Sequence, residues 1–403
     1  MNLKDKYEQI FSPAQKNILA SVSVFSSKNG INAFLVGGVV RDLILNRPVF
    51  DIDIVVETDA VLFVKNLLTE LKGEIINVQE NLRTAKVLFH NGIEVDFSST
   101  RKETYLSSGQ LPVLSEFGCP ISDDVKRRDF TINTLCLKLS SNNDFEVIDF
   151  LGGINDIQLK QLKILHDKSF IDDPSRLVRL LKFAVRFGFR IERHTKDLIV
   201  EYLPQIDNTM PLERIKGELK QLFSLNSQAA FDLTVNEGIN KLVSSGICAE
   251  FSQNRLNYCI EKGFISSSLS WFVPFSCLCV YSSDYWLRLN LNSKEKTSLN
   301  DFLCLLNSGL SEQTDKFKIY QKFSKFTIEA IICEYVSKGS KEAKIYLDEI
   351  KDIHVLINGN DLISLGFKPS AQFKTIFDII LKEKFNGKLK SKEEEIEFAK
   401  SLL

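Results

Sequence analysis

Two acidic residues one position apart, Asp51 and Asp53, form the pattern in this sequence that most clearly points to chemistry. They lie in the apolar stretch Phe50–Val56, which predicts a β-strand. Residues i and i+2 of a strand point to one face, so the two carboxylates should lie together while the isoleucines face a core. Two unpartnered carboxylates repel each other, and a divalent cation removes that repulsion. The pattern predicts a site for Mg²⁺, whose ligands are hard oxygens; the alternative is a solvated edge strand with two exposed acids.

A glycine pair precedes this strand. The segment that contains Gly37, Gly38 and Arg41 predicts a short buried strand, Ala33–Val36, then a tight turn and a helix start. Glycines let backbone N–H groups approach a phosphate closely. Arg41 follows within one helical turn and could neutralise that phosphate. The order of the two motifs therefore predicts a phosphate-binding turn followed by a metal-binding strand.

A third carboxylate is available in a predicted hairpin. Thr84–Phe89 and Ile93–Phe97 have strand character, and an Asn-Gly pair at positions 91 and 92 suits the turn between them. The second strand puts Glu94 and Asp96 on one face. Either could complete a carboxylate cluster for two metal ions. Periodicity does not distinguish between them.

Adjacent arginines mark a further motif. Arg127 and Arg128 are followed by Asp129 and, four residues later, by Asn133. Guanidinium groups pair with phosphate oxygens in a bidentate way, so two in succession suit a triphosphate. The alternative interpretation is an ion-pair cluster at the start of a helix.

A helix with a basic side is predicted to begin near Asp173. Its cations at Arg176, Arg179, Lys182 and Arg186 recur at helical spacing, opposite an apolar side. An Asp and an Arg three residues apart share a face and can offer acceptors and donors to the Watson–Crick edge of a base. The alternative is a solvated basic surface.

In this order and at this spacing, the motifs resemble those of the class II tRNA nucleotidyltransferases. That family includes the CCA-adding, CC-adding and A-adding enzymes and bacterial poly(A) polymerase, within the polymerase-beta superfamily. The similarity extends over roughly residues 30–220, and Ile357–Ser370 is similar to the C-terminal segment of the family. The resemblance implies an enzyme that joins nucleotides from CTP or ATP to an RNA 3′-hydroxyl and releases pyrophosphate.

The resemblance also assigns residues. It implies that Asp51, Asp53 and Asp96 are catalytic and hold two Mg²⁺ ions, Asp96 being preferred to Glu94 because of its distance from Arg101. Asp173 and Arg176 would pair with the base and Arg179 would support them, whereas Lys182 replaces a usual arginine and lacks its bidentate fork. The implied nucleotide-binding residues are Gly37, Gly38, Arg41, Arg127, Arg128, Asp129, Asn133, Asp173, Arg176, Arg179 and Lys182.

Two connecting segments also fit the family. Asp149, Gly153 and Asp156 match a hinge pattern between head and neck. Glu213 and Arg214 lie in a segment that is expected to brace the helix that reads the base. The stretch Ser107–Asp124 predicts a long loop, and residues 140–145 predict a turn.

The resemblance predicts an α+β fold, with a polymerase-beta-like head followed by helices only. The expected divisions are a catalytic head at 1–150, a neck at 151–222, a body at 223–330 and a tRNA-binding tail at 331–403. The remaining predicted strands of the head are Thr134–Leu139 and Val147–Asp149.

CCA addition to tRNA is the expected activity, and three alternatives stay open. These are addition of A alone, poly(A) synthesis, and an RNA-binding relative without catalysis, against which the three acids argue. The full-length interval from Arg101 to Lys126 disfavours addition of CC alone, because CC-adding members have a shorter loop there. The expected partners are tRNA, CTP and ATP.

Composition sets outer limits. The chain has 403 residues, of which 44% are hydrophobic and 26% charged, and its formal net charge is −1, so any RNA-binding surface must be local. The charged N-terminus and the absence of a long apolar run predict a cytoplasmic protein that does not enter a membrane. Eight scattered cysteines and four distant histidines predict no zinc site. Oligomeric state does not follow from the sequence.

Overall fold

The computed structural model of the protein describes residues 1–105, 112–140, 144–206, 213–286, 288–308 and 314–403. They form two compact units, Met1–Glu218 and Leu219–Leu403. Within the described ranges, strands occur only in the first unit and the second consists of helices and connections. The predicted α+β class, with a mixed head followed by helices, is confirmed. The finer division into head, neck, body and tail stays a prediction.

The first unit combines eleven short strands with nine α-helices in its described part, and a tenth α-helix starts at its end. The strands are β1 Ala33–Val36, β2 Ile52–Val56, β3 Gly73–Gln79, β4 Thr84–Phe89, β5 Glu94–Ser99, β6 Arg101–Thr104, β7 Val113–Phe117, β8 Cys136–Leu139, β9 Val147–Ile148, β10 Gln161–Leu162 and β11 Arg190–Ile191. The helices are α1 Lys4–Ile10, α2 Pro13–Lys28, α3 Gly38–Ile44, α4 Ala60–Glu70, α5 Ile121–Asp124, α6 Gly153–Gln158, α7 Ser169–Asp172, α8 Ser175–Phe187, α9 Arg193–Tyr202 and α10 Glu213–Phe223.

A mixed sheet organises this unit. Its strand order is β3-β4-β5-β2-β1-β8-β9. β2 and β5 run parallel, and the other neighbouring pairs are antiparallel. Every residue of β1 is buried, as its continuous apolar sequence requires of a strand covered on both faces.

Aromatic packing fixes one face of the sheet. The ring of Phe63 on α4 lies 5.3 Å from that of Phe25 on α2 and 6.0 Å from that of Phe97 on β5. Ala85 and Val87 of β4 are buried as well. Side chains alternate along a strand. Lys86, which lies between Ala85 and Val87 on β4, and Asp96, which precedes Phe97 on β5, therefore belong to the opposite face of the sheet.

Several predicted boundaries need correction. The loop predicted at 107–124 contains β7 and α5, and β6 and β7 form a separate two-stranded sheet. Residues 107–111 of that prediction lie outside the described residues. β7 was missed because its side chains are mostly exposed, so its apolar alternation is weak. β10 and β11 form a short parallel ladder where helices alone were expected. Of the predicted turn at 140–145, positions 141–143 are not described.

The second unit is helical throughout its described part. Its helices are α11 Ser227–Asn236, α12 Gln253–Glu261, α13 Phe272–Cys279, α14 Ser283–Trp286, α15 Ser293–Asn307, α16 Lys316–Phe323, α17 Ile328–Lys338, α18 Lys341–Ile345, α19 Gly359–Ser364, α20 Gln372–Phe385 and α21 Lys392–Lys400. Leu362, Ile376, Ile380 and Ala399 form a separate apolar cluster near the C-terminus. Among the helices that the structure describes, none has both the length and the apolar character of a membrane span.

Candidate active site

The turn between β1 and α3 brings the backbone against an arginine side chain. Gly37 has a φ of +63°, in the left-handed region that favours glycine. A Cβ at this position would lie 3.0 Å from Nη1 of Arg128 and 3.3 Å from the carbonyl oxygen of Asn133. The turn therefore requires glycine for both its conformation and its space, and it presents backbone and guanidinium groups side by side.

Of the three predicted acids, Asp51 lies just before a strand, whereas Asp53 and Asp96 lie within two paired strands. β2 begins at Ile52, so Asp51 lies one residue before the strand rather than within it. Asp51 and Asp53 are exposed and the isoleucines of β2 are buried, as alternation predicts. In the parallel pairing of β2 with β5, Asp53 lies directly beside Asp96. Glu94 starts β5 two residues earlier, so the register favours Asp96 as the partner of Asp53.

The charge around Asp53 is unbalanced. Partial desolvation by the surrounding protein raises the pKa of Asp53, although the side chain is still exposed. The negative charges of Asp96 and Asp51 raise this pKa further. The charges of Arg128 and Lys86 oppose that increase. A negative charge that the protein compensates only in part is what a bound cation would stabilise.

Mg²⁺ fits these residues in donor type and charge. All three acids supply hard carboxylate oxygens, and two of them share a register position. Oδ2 of Asp96 is, however, 2.9 Å from Nζ of Lys86. Within the described ranges, no three His, Cys, Asp or Glu side chains converge closely enough to hold a metal ion. The predicted cluster of Asp51, Asp53 and Asp96 is thus only partly assembled, and their role as metal ligands stays a prediction.

The adjacent arginines are held by a buried acid. Asp124 accepts hydrogen bonds from Nε of Arg127 and Nη2 of Arg128, both at 2.9 Å. Burial would raise the pKa of Asp124, but the two guanidinium groups hold it below its ordinary value. Arg127 also donates to Glu103 at 3.1 Å. The alternative interpretation, an ion-pair cluster, therefore describes part of this motif. Nε of Arg128 is buried and has no hydrogen-bond partner among the described residues.

Asp129 connects this motif to helix α8. Its Oδ2 accepts from Nε of Arg179 at 2.9 Å and from Nη2 at 2.6 Å, and its Oδ1 accepts from Asn133 at 2.9 Å. Burial would raise the pKa of Asp129, but Arg179 and the hydrogen bonds hold it below its ordinary value. Asp129 is therefore ionised and serves to position its two partners.

Arg41 does not face an open phosphate site in this structure. Its guanidinium is buried, with Nε 2.9 Å from Oδ1 of Asp42 and Nη1 2.5 Å from Oδ1 of Asn133, and it lies 4.7 Å from the centre of the Phe187 ring. Burial lowers the pKa of Arg41, although the adjacent Asp42 carboxylate opposes this. Through its Nη1, Arg41 orients the neighbouring polar side chain of Asn133.

The predicted base-reading residues are also engaged with the protein. Oδ1 of Asp173 accepts from the backbone N–H of Ser175 at 3.1 Å, and its Oδ2 accepts from Arg214 at 2.9 Å. Arg214 thus makes the bracing contact expected of its segment. Any base that paired with Asp173 would have to compete with these donors.

Arg176 is only 3% exposed. It donates to Oγ of Ser169 at 2.7 Å, to the carbonyl oxygen of Arg127 at 2.9 Å and to the hydroxyl of Tyr105 at 3.3 Å. Ser169 and Tyr105 were not singled out by sequence reasoning, because neither residue belongs to a motif with a distinctive spacing.

The basic side of α8 is not a solvated surface. Arg179 and Lys182 both contact Glu218, at 3.3 Å and 2.5 Å, and Arg186 lies 3.3 Å from Asp42. The interpretation as a free basic surface is therefore wrong for these residues. Glu218 had no sequence signal of its own beyond its place within the bracing segment.

The predicted hinge residues make close contacts. Asp149 accepts from the backbone N–H groups of Gly153 at 3.0 Å and Ile154 at 2.9 Å. A Cβ on Gly153 would lie 2.3 Å from the carbonyl oxygen of Thr131, and Oγ1 of Thr131 donates to Asp156 at 2.5 Å. The segment after the head is thus packed directly on the strand–helix region that contains Asn133.

Known proteins are similar to this chain in sequence and in fold. A family model described as "Poly A polymerase head domain" matches residues 33–163. The chain is 28% identical to the A-adding tRNA nucleotidyltransferase of Halalkalibacterium halodurans, over 99% of this chain and 95% of that protein. The chain is also 27% identical to the A-adding tRNA nucleotidyltransferase of Geobacter sulfurreducens. This match covers 91% of this chain and 44% of the length of that protein. The fold of this chain is similar to that of the Thermotoga maritima CCA-adding enzyme complexed with tRNA, with a TM-score of 0.77, 24% identity and coverage of 100% and 98% of the two chains.

Proposed function

We propose that this chain, which belongs to the class II tRNA nucleotidyltransferases, adds the terminal adenosine to tRNA molecules that already end in CC. The chain is an enzyme of the nucleotidyltransferase class. The observation that carries the assignment is the pair of carboxylates, Asp53 and Asp96, side by side in parallel strands on the face of the sheet opposite Phe97. The choice of A is supported by the A-adding relative that matches this chain over nearly its whole length.

The proposed reaction is a single displacement. The 3′-hydroxyl of the RNA attacks the α-phosphorus of ATP, the new phosphodiester bond forms, the bond to the β-phosphate oxygen breaks, and the hydroxyl proton and pyrophosphate leave. Mg²⁺ held by Asp51, Asp53 and Asp96 would supply activation of the hydroxyl and neutralisation of the leaving oxygens. Such transfers depend mainly on positioning and charge stabilisation, so no side-chain nucleophile is required.

The residues of the chain divide the positioning between them. The Gly37 turn and Arg128 hold the triphosphate, and the unpartnered Nε of Arg128 supports that role. Asp129 keeps Arg179 and Asn133 in place behind them. Arg41 acts through its contact with Asn133, which makes it a positioning residue in this account.

Asp173, just before α8, and Arg176, in the first turn of α8, recognise the base. Asp173 and Arg176 must exchange their contacts with Arg214 and Tyr105 for contacts with the base, an exchange that links nucleotide binding to a local rearrangement. The tRNA lies along the helical part of the chain, which holds it through its phosphates and A-form shape. The protein acts in the cytoplasm. Lys182 contacts Glu218, so a direct contact of Lys182 with the nucleotide requires this ion pair to open.

Complete CCA addition is the second candidate. The observation that favours it is chemical: a carboxylate just before α8 and a guanidinium in its first turn can match cytosine, with one amino donor and two acceptors, as well as adenine, with one donor and one acceptor.

Three tRNA transcripts distinguish these activities: one that lacks all of CCA, one that ends in CC, and one that is complete. Each is incubated with CTP alone or ATP alone, and incorporation is measured at nucleotide resolution. We expect AMP to be added to the CC-ending transcript and no CMP to be added to the shortest one. Efficient CMP addition to the shortest transcript would identify a CCA-adding enzyme, and no incorporation onto either incomplete transcript would overturn the proposal.

A further inference from the structure

Lys86 on β4 lies directly opposite a predicted catalytic acid. In the antiparallel pairing of β4 with β5, Lys86 and Asp96 are register partners. Nζ of Lys86 is 2.9 Å from Oδ2 of Asp96 and 3.3 Å from Oε2 of Glu94. The ammonium group therefore contacts both of the carboxylates that the sequence left as candidates for the third metal ligand.

This ion pair is not a structural support for the sheet. The side chain of Lys86 is 32% exposed and that of Asp96 is 42% exposed. Pairs with this much exposure contribute at most about 1 kcal/mol to the stability of a fold. The sheet is held instead by its backbone ladder and by the buried residues of the other face, such as Val87. The pair lies beside Asp53, so the charge of Lys86 acts on the predicted metal site.

Lys86 supplies positive charge where a metal ion is implied. Asp96 has Asp53 as its register partner on one side and Lys86 on the other, so the negative charge of two adjacent carboxylates lies beside one ammonium group. An ammonium within hydrogen-bond distance of Asp96 compensates part of this charge. It also takes up one oxygen of Asp96, which agrees with the finding that the described residues contain no ready-made three-ligand group.

We propose that Lys86 acts as a placeholder cation that competes with the metal ion for Asp96. A metal ion that binds Asp96 must displace the ammonium group, which stays within reach of Glu94. Displacement of the Lys86 ammonium group costs free energy. The phosphate oxygens of a nucleotide provide additional metal ligands, and these contacts offset that cost. Lys86 therefore makes full occupancy of the carboxylate site depend on the nucleotide. This inference rests on the proposed function and on the metal dependence it implies.

Binding of Mn²⁺ to the full-length protein tests the proposal without an activity measurement. Free Mn²⁺ is followed by electron paramagnetic resonance for the wild type and for Lys86→Met, which keeps an unbranched side chain and removes the charge. Without nucleotide, we expect Lys86→Met to bind Mn²⁺ more tightly by up to about fivefold, the factor that corresponds to the upper range for partly exposed ion pairs. With a non-hydrolysable ATP analogue present, the difference should shrink.

Two further variants make the result specific. Lys102→Met removes a lysine of the same unit that pairs with Glu116 and Asp123 instead, so its Mn²⁺ affinity should equal that of the wild type. Combining Lys86→Met with Asp96→Asn should abolish the gain, because the competition is for that carboxylate. Circular dichroism and thermal melting establish that each variant is folded, and Lys86→Gln serves as a second neutral replacement.

Equal Mn²⁺ affinity in the wild type and in both neutral variants at position 86 would overturn the proposal, as would a gain that persists in the Asp96→Asn background. Neither result would affect the assignment of A addition, which depends on the transcripts and not on Lys86. Conversely, failure of AMP incorporation by the wild type would refute the proposed function while leaving the competition for Asp96 measurable.

Discussion

Asp129 and Arg179 join the arginine motif of the head to helix α8. Both hydrogen bonds of this pair run to Oδ2 of Asp129, from Nε at 2.9 Å and from Nη2 at 2.6 Å. Asp129 is the next residue after Arg128, and Arg179 lies one turn beyond Arg176 on α8. The pair thus holds the proposed triphosphate-binding and base-reading groups in a fixed relation within the first unit.

Asp129→Asn should destabilise the protein. Removing one partner of a buried pair leaves the other charge uncompensated, at a cost of roughly 3–5 kcal/mol. About a third of the Arg179 side chain is exposed, so we expect the low end of that range or less. Urea denaturation measures the change. Asp167→Asn is the matched control: it breaks the exposed pair with His194 and should change the free energy of unfolding by less than about 0.5 kcal/mol. Equal effects of the two substitutions would contradict this role.

The same pair predicts a dependence on pH. The pKa of Asp129 is lowered in the folded protein, so its contribution to stability is present above the ordinary value of an Asp, about 3.9, and is lost as the pH falls through the lower folded value. The difference in unfolding free energy between wild type and Asp129→Asn should therefore be constant near neutral pH and shrink below about pH 4. A difference that grows on acidification would show that the sign is wrong.

Gly37→Ala should weaken nucleotide binding more than Gly30→Ala does. Both glycines have positive φ, +63° and +66°, so both substitutions carry a similar strain of about 1–2 kcal/mol. Only at Gly37 would the new Cβ meet another group, Nη1 of Arg128 at 3.0 Å, whereas nothing lies within 4 Å at Gly30. We expect a loss of ATP affinity of about tenfold for Gly37→Ala alone. Equal ATP affinity in the two variants would mean that the turn does not hold the triphosphate.

Asp96→Asn and Glu94→Gln should differ in single-turnover AMP addition. Asp96 is the register partner of Asp53, and Glu94 lies at the start of β5. Loss of a metal-binding carboxylate removes several kcal/mol of charge stabilisation, so we expect a decrease of roughly 100-fold or more for Asp96→Asn. Glu94→Gln keeps the catalytic pair and should have a small effect. The reverse ranking would transfer the third-ligand role to Glu94.

Asp173→Asn should alter base choice more than tRNA affinity. The substitution exchanges a carboxylate oxygen for an amide donor with almost no change in volume. Lost or mismatched hydrogen bonds to a base cost about 1–3 kcal/mol of discrimination. Relative incorporation of ATP, CTP, UTP and GTP is the measurement, with Arg176→Lys as a second variant. An unchanged preference together with a collapse of tRNA binding would indicate that this part of α8 contacts RNA and does not read the nucleotide.

Sequence patterns were sufficient where backbone periodicity decides the outcome. The alternation around Asp53 predicted buried isoleucines and exposed acids, and the Asn-Gly pair predicted the β4–β5 hairpin. The turn between β1 and α3 could likewise be located from Gly37 and Gly38, because a positive φ such as that of Gly37 selects glycine. In each case the information lies within a few neighbouring residues.

Side-chain partners that are distant in sequence could not be predicted in this way. Arg176 carries no local sign that it is buried against Tyr105, 71 positions earlier. Nothing near Asp129 indicates a bond to Arg179, and nothing near Lys86 indicates that it faces Asp96 until the strand register is known. Such contacts depend on how the elements pack, which one sequence does not specify by periodicity.

AMP addition to tRNA ending in CC, measured under single-turnover conditions for the wild type and Asp53→Asn, tests the central claim most directly. Asp53 is exposed and lies beside the like-charged Asp96, so Asp53→Asn should be folded and at least as stable as the wild type. We predict that the wild type adds one AMP and that Asp53→Asn, with an unchanged circular dichroism spectrum, adds none that can be detected. AMP addition by Asp53→Asn at the wild-type rate would contradict the assignment of this site.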